Sequence, residues 1–139
     1  MLQGRRKRLL LVEDNPGDIR LFHEALKASG CDADFFSCAE GDRAMESVRA
    51  CAPDVVVLDL NLPAVSGHEI LAQIKADETL RMLPVVIWSS TCATEEIKKT
   101  YLSGASCFVS KPLTLDETFE SVREFCRIWF LRASLPTWP

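Results

Sequence analysis

The chain has 139 residues, 47% of them hydrophobic and 26% charged, and 16 Lys and Arg against 20 Asp and Glu leave a net charge of −4. That size and balance suit a globular chain with one buried core, and exclude a disordered tail, a collagen-like fibre and a low-complexity linker. A mild acidic excess argues against nucleic-acid binding by bulk charge, and no apolar run approaches the roughly 20 residues of a membrane-spanning helix.

Arg5-Arg6-Lys7-Arg8 opens the first apolar run. A signal peptide also begins this way, but Glu13 and Asp14 end the stretch too soon, so the run reads as a solvated lead-in to a strand. Leu9-Leu10-Leu11-Val12 is the first predicted strand, followed by Ile19, Phe22 and Leu26 at helical spacing. Phe35-Phe36 marks a weaker strand over 33–38, and Met45, Val48 and Ala52 a second helix. Val55-Val56-Val57-Leu58 is a third strand, and Gly67, Ile70, Leu71 and Ile74 form a helical face. Val85-Val86-Ile87-Trp88 is a fourth strand, before a short helix carrying Ile97 and Tyr101. Cys107-Phe108-Val109 is a fifth, and Leu115, Phe119, Val122, Cys126 and Trp129 stripe a last helix over about 114–131. Thr114 and Glu117 are spaced as its capping box.

Strands that are apolar throughout are buried on both faces, and strands alternating with helices require crossovers. The expected fold is therefore α/β, a doubly wound five-stranded parallel sheet with five helices. One domain is expected over 1–139, with its core at about 8–131, a C-terminal tail over 132–139 and no output domain. The six cysteines include no C-x-x-C pair, and neither His23 nor His68 lies near two of them. They read as buried reduced thiols of a cytoplasmic protein rather than as zinc ligands. His23 and His68 read as helix-surface residues.

Ligands of such sheets bind outside the carboxyl ends of the strands. Glu13-Asp14 follow the first strand, Asp59 the third, Ser89-Ser90-Thr91 the fourth and Lys111-Pro112 the fifth. Carboxylates gathered together repel unless a cation neutralises them, and an oxygen-only ligand set suits Mg²⁺. A lysine opposite them is a compact charge for a phosphate, and a seryl hydroxyl can donate to the same oxygens. A carboxylate so placed can act as nucleophile toward an activated phosphoryl group.

Glu13-Asp14, Asp59 with Pro63 and Gly67, Ser89 and Lys111-Pro112, in this order, resemble the receiver domain of two-component response regulators over about residues 8–130. The resemblance implies a flavodoxin-like sheet of order 2-1-3-4-5 and Asp59 as phosphoacceptor. It implies Mg²⁺ held by Asp14, Asp59 and the backbone carbonyl of Asn61, with Glu13 acting through water. Lys111 and Ser89 would bind the phosphoryl oxygens, and Ser89 and Phe108 would be the switch pair. Phe108 lacks a phenolic hydroxyl and Ser89 lacks the methyl of the commoner Thr. The Lys111–Pro112 bond would be cis. The stretches around Asp14-Asn15-Pro16-Gly17-Asp18 and Asp59-Leu60-Asn61-Leu62-Pro63 are further similar to stand-alone receivers, some of which partner bacterial phytochromes and related sensor histidine kinases.

The implied function is that of a phosphoryl-accepting switch, not of an enzyme acting on other substrates. A degenerate receiver serving as a binding module would normally lack an acidic residue or the lysine. An aspartyl-phosphate phosphohydrolase would want a second carboxylate where Asn61 stands. The implied partners are a sensor histidine kinase and a downstream histidine phosphotransfer protein, with no nucleic acid and no membrane. Phe125, Ile128, Trp129, Phe130 and Leu131 crowd the end of the last helix and cannot all face inward, so a homodimer is expected there.

Overall fold

Successive residues of a strand point to opposite faces, so a strand apolar at every position must be covered on both. That requirement organises the computed structural model, which describes residues 6–91, 93–136 and 138. The strands β1 (Lys7–Val12), β2 (Ala33–Cys38), β3 (Val55–Leu58), β4 (Val85–Ser89) and β5 (Cys107–Ser110) form one parallel sheet of order β2-β1-β3-β4-β5. Between and after them run α1 (Pro16–Ala28), α2 (Ala44–Cys51), α3 (Gly67–Ala76), α4 (Thr94–Leu102) and α5 (Leu115–Cys126). Leu10, Val12, Val56, Leu58 and Ile87 pack on one face with Val48 of α2 and Ile70 of α3. Leu9, Leu11, Val57, Val86 and Trp88 pack on the other with Phe22 of α1 and Val122 of α5. The expected fold class and strand order hold. The expectation of strands buried on both faces holds for β1 from Leu9 on, β3 and β4; the edge strands β2 and β5 are mostly half-buried, having a neighbour on one side only.

Three of the five α-helices start on a side-chain cap. Asn15 accepts from the Asp18 amide at the start of α1, Ser66 from Glu69 at α3 and Thr114 from Glu117 at α5. The last of these is the expected Thr114 cap. The basic lead-in is consumed by the fold: Arg6 pairs with Asp32 and Asp34, and Arg8 donates to the Cys51 carbonyl at 2.9 Å. Cys31, Cys38, Cys51, Cys107 and Cys126 are free thiols, but only Cys38 and Cys126 are fully buried. Cys92 and Arg5 lie outside the described residues.

The end of the last helix departs from the expected stripe. Leu115 does not face the sheet; it is 60% exposed in the first turn of α5, beyond the sheet's edge of cover. Phe125 is buried instead. After Cys126 the helix widens into a π-helical segment, Arg127–Arg132. The wider turn brings a residue and its fifth neighbour to one side. Phe125 and Phe130 accordingly meet edge to face at 5.9 Å, with Trp129 at 6.4 Å from Phe125. Three aromatics are thus turned toward the core, and Ile128 and Leu131 are left at 53% and 74% exposure. The described residues of the tail do not cover them. Trp138 packs against the opposite cluster and its Nε1 donates to the Pro53 carbonyl at 2.6 Å.

Ala52 ends α2 in the left-handed region at φ 47°, where a Cβ crowds the following carbonyl. Ala52→Gly is expected to stabilise the protein by about 0.5–1 kcal/mol, the relief of strain exceeding the added chain entropy. Urea unfolding of both proteins measures it; equal midpoints would show that the turn carries no strain.

Candidate functional site

In this sheet the chain leaves β1 toward β2 on one side and later returns to β3 on the other, so the ends of β1 and β3 flank a crevice. Glu13 follows β1 and Asp59 follows β3. Both backbones are tied into the ladder, Glu13 N–H to the Cys38 carbonyl and Asp59 N–H to the Val12 carbonyl, each at 3.0 Å. Glu13, Asp14 and Asp59 each bring a carboxylate oxygen within 4.8 Å of the others. Glu13 and Asp59 are 1% and 4% exposed, and Asp14 is the most open of the three.

Lys111 completes the cluster from the end of β5. Its N–H donates to the Ser89 carbonyl at 2.8 Å, extending the β4–β5 pairing by one residue. Its Nζ lies 2.7 Å from Glu13 Oε1, 3.0 Å from Asp18 Oδ2 and 3.5 Å from Asp59 Oδ2. The Lys111–Pro112 bond is trans, contrary to the cis expectation. The side chain reaches the carboxylates from a trans bond, the form an X–Pro peptide ordinarily prefers.

One ammonium shared among several carboxylates does not compensate them all. Burial pushes the Glu13 carboxyl up to about 7 against hydrogen bonds from Lys111 and the Asn15 amide, and the Asp59 charge adds to the rise. Burial opposes the charge on Lys111, but its bonds to Glu13 and Asp18 hold it above the usual lysine range. This donor set fits a hard divalent cation: it is all oxygen, its negative charges outnumber the one ammonium, and burial drives one of its members toward protonation.

The loop after β3 is held tightly behind Asp59. The Asn61 amide donates to Asp59 Oδ1 at 3.3 Å, and the Gly67 amide to the Leu60 carbonyl at 3.0 Å. A Cβ on Gly67 would stand 2.3 Å from the Asp59 carbonyl oxygen, so only glycine lets α3 start this close. Between them Ala64 takes φ 66° in a γ-turn closed by Val65 N–H on the Pro63 carbonyl at 2.7 Å.

Of the residues singled out in the sequence, Glu13, Asp14, Asp59 and Lys111 come together directly, and Asn61 touches the cluster through its amide. Ser89 lies fully buried at the end of β4, its hydroxyl accepting from the Thr91 amide at 3.4 Å. Phe108 lies half-buried on β5, and its N–H donates at 3.0 Å to the hydroxyl of Tyr101 from α4. The phenol that Phe108 lacks is therefore present on the neighbouring helix, bonded to its backbone. Asp18 was not among the expected site residues. No local pattern marks it, since its contact with Lys111 spans 93 residues of sequence. His68 is not a free surface residue: its Nε2 lies 2.5 Å from Glu96 Oε2 and joins α3 to α4, while its buried Nδ1 has no hydrogen-bond partner among the described residues. His23 is half-buried and stacks on Phe35 at 4.4 Å.

Comparison with known proteins agrees with this arrangement. The family model described as "response regulator receiver domain" matches residues 9–123. The response regulator Rcp1 of Synechocystis is 32% identical over 137 residues, spanning 94% of this chain and 93% of its own. Among solved structures, the phosphorylated cyanobacterial phytochrome response regulator RcpA is 37% identical with a TM-score of 0.89, covering 95% of this chain and 99% of its own. The Mn²⁺-bound form of Rcp1 superposes with a TM-score of 0.86 at 31% identity, covering 94% and 99%.

A carboxyl whose folded value is raised favours folding while it is protonated and loses that contribution as it ionises. In the metal-free protein, stability from Glu13 is expected to be fully present below its ordinary 4.5 and lost as pH rises through about 7. The loss is on the order of 3 kcal/mol at most. Thermal melts between pH 4.5 and 8 check this, and Glu13→Gln should flatten the decline. A decline of equal size in Glu13→Gln would assign it to another group.

Proposed function

The chain belongs to the family of response regulator receiver domains, and on that basis we propose that Asp59 takes a phosphoryl group from a phosphohistidine of a sensor histidine kinase. The observation that carries this reading is the meeting of Glu13, Asp14 and Asp59 within 4.8 Å, with Lys111 Nζ 3.5 Å from Asp59. Asp59 lies at the mouth of the crevice with its backbone fixed by β1 and its Oδ1 held by the Asn61 amide. An Asp59 carboxylate oxygen attacks phosphorus as the P–N bond to the donor imidazole breaks. The bonding pair stays on the imidazole nitrogen, and Asp59 becomes an acyl phosphate. Asp14, Asp59 and the Asn61 carbonyl would hold Mg²⁺, with Glu13 acting through water; the ion supplies charge neutralisation to the oxygens of the transferring group. Lys111 and the Ser89 hydroxyl take up the phosphoryl oxygens after transfer. Ser89 and Phe108 then carry the change outward, in this chain with Tyr101 of α4 attached to the Phe108 backbone.

The same reading makes the chain a single receiver, 1–139, working in the cytoplasm as a signalling protein rather than an enzyme on other substrates. The likeness to Rcp1 and RcpA favours a phytochrome-type kinase. The output is contact with a downstream protein, such as a histidine phosphotransfer protein. A homodimer would bury Ile128 and Leu131, which the π-helical turn leaves exposed at the end of α5.

Incubation with acetyl phosphate and Mg²⁺ is expected to add one phosphoryl group to Asp59, located by mass spectrometry after borohydride trapping. Asp59→Asn and chelator should each abolish it, and full labelling of Asp59→Asn would refute the assignment. In sedimentation at micromolar concentration the protein is expected to be a dimer, and Ile128→Asp with Leu131→Asp a folded monomer. A wild-type monomer both with and without beryllofluoride would rule the dimer out.

A further inference from the structure

Lys111 has three N–H donors and three carboxylates around it: Glu13 Oε1 at 2.7 Å, Asp18 Oδ2 at 3.0 Å and Asp59 Oδ2 at 3.5 Å. Glu13 and Asp59 belong to the cation-binding cluster. Asp18 stands apart from it, in the first turn of α1. That helix start is already served by the Asp18 backbone N–H on Asn15 Oδ1 at 3.1 Å, a bond that does not use the Asp18 carboxylate. The three partners also differ in their access to water. The side chains of Glu13 and Asp59 are 2% and 6% exposed, and that of Asp18 is 42%. A buried carboxylate that loses its cation is left desolvated and uncompensated, whereas an exposed one is rehydrated at little cost. When new oxygens arrive on Asp59, an ammonium with all its donors engaged must release an acceptor. Asp18 is the acceptor released most cheaply.

We propose that Asp18 is a positioning residue that competes with the phosphoryl group for Lys111, holding the ammonium in its resting place until phosphorylation draws it away. The proposal rests on the reading of Asp59 as phosphoacceptor. No covalent bond changes in this step: Lys111 exchanges a hydrogen bond to Asp18 Oδ2 for one to a phosphoryl oxygen, and water takes the vacated place on Asp18. The contact with Asp18 is subtracted from the affinity of the site for phosphoryl oxygens, so removing it tightens that affinity.

Beryllofluoride, a phosphoryl mimic, tests this at saturating Mg²⁺ with tryptophan fluorescence as the signal, on the full chain. Asp18→Asn is expected to bind it roughly three-fold more tightly than wild type, the scale of a partly exposed ion pair. Asp18→Ser should do the same, and guards against a fold defect peculiar to one variant; melting curves verify both folds. Glu24→Gln removes the same charge from the same helix at a residue paired with Lys27. It should bind like wild type. Unchanged or weaker binding in folded Asp18 variants would overturn the competition. An equal gain in Glu24→Gln would overturn it too, by making net charge rather than contact the cause. A wild type that binds no beryllofluoride would instead strike at the phosphoacceptor reading, and at this inference with it.

Discussion

Lys111 is the only cation in contact with Glu13, Asp18 and Asp59 among the described residues, and the top of the sheet is built around that shortage of positive charge. Two of these carboxylates are buried, and a third cluster member, Asp14, stands beside them. Water cannot solvate the buried pair, so each must be neutralised by the lysine, by a proton or by a bound cation. Burial raises Glu13 to about 7, and the hydrogen bond from Lys111 offsets only part of that rise. A site in this condition is poised for a divalent cation and for any ligand that rearranges the lysine.

Such a cluster can persist only on a frame rigid enough to resist its own repulsion. The frame is the apolar interior of β1, β3 and β4, covered on both faces. The residues that bear the charges begin where the apolar runs stop, and their backbones are still pinned by ladder hydrogen bonds at Glu13, Asp59 and Lys111. Behind Asp59 the approach of α3 leaves no room for a side chain at position 67. The strained φ of Ala64 lies in the same loop, where backbone strain is often retained for function. From this rigid end, two side-chain links reach α4: His68 to Glu96 and the Phe108 backbone to Tyr101. A movement at β5 or at the start of α3 would be felt by α4 through bonds already in place.

The far end of α5 shows a different solution to crowding. Five large apolar residues in seven cannot share one α-helical face, and the chain responds by widening the helix. The widened turn directs Phe125, Trp129 and Phe130 to the core and leaves Ile128 and Leu131 outside. Trp138 meanwhile packs on the opposite face of the sheet, its Nε1 on the Pro53 carbonyl.

The elements and their order, the two-layer cover of the sheet, and the carboxylates and lysine at the strand ends are legible in the chain's residues alone. These are written in periodicity, in continuous apolar runs and in punctuation at 16, 63, 67 and 112, because burial of a strand on both faces leaves no polar position to blur it. Contacts between elements distant in the chain are set only by packing. Asp18 lies 93 residues from Lys111, Tyr101 meets the Phe108 backbone across a helix–strand joint, and His68 reaches Glu96 from another helix. The exposure of Leu115 and the burial of Phe125 likewise depended on where α5 comes to rest. Periodicity reports which face of an element is apolar; which side chains meet across the space between elements depends on angles and offsets that no local pattern encodes.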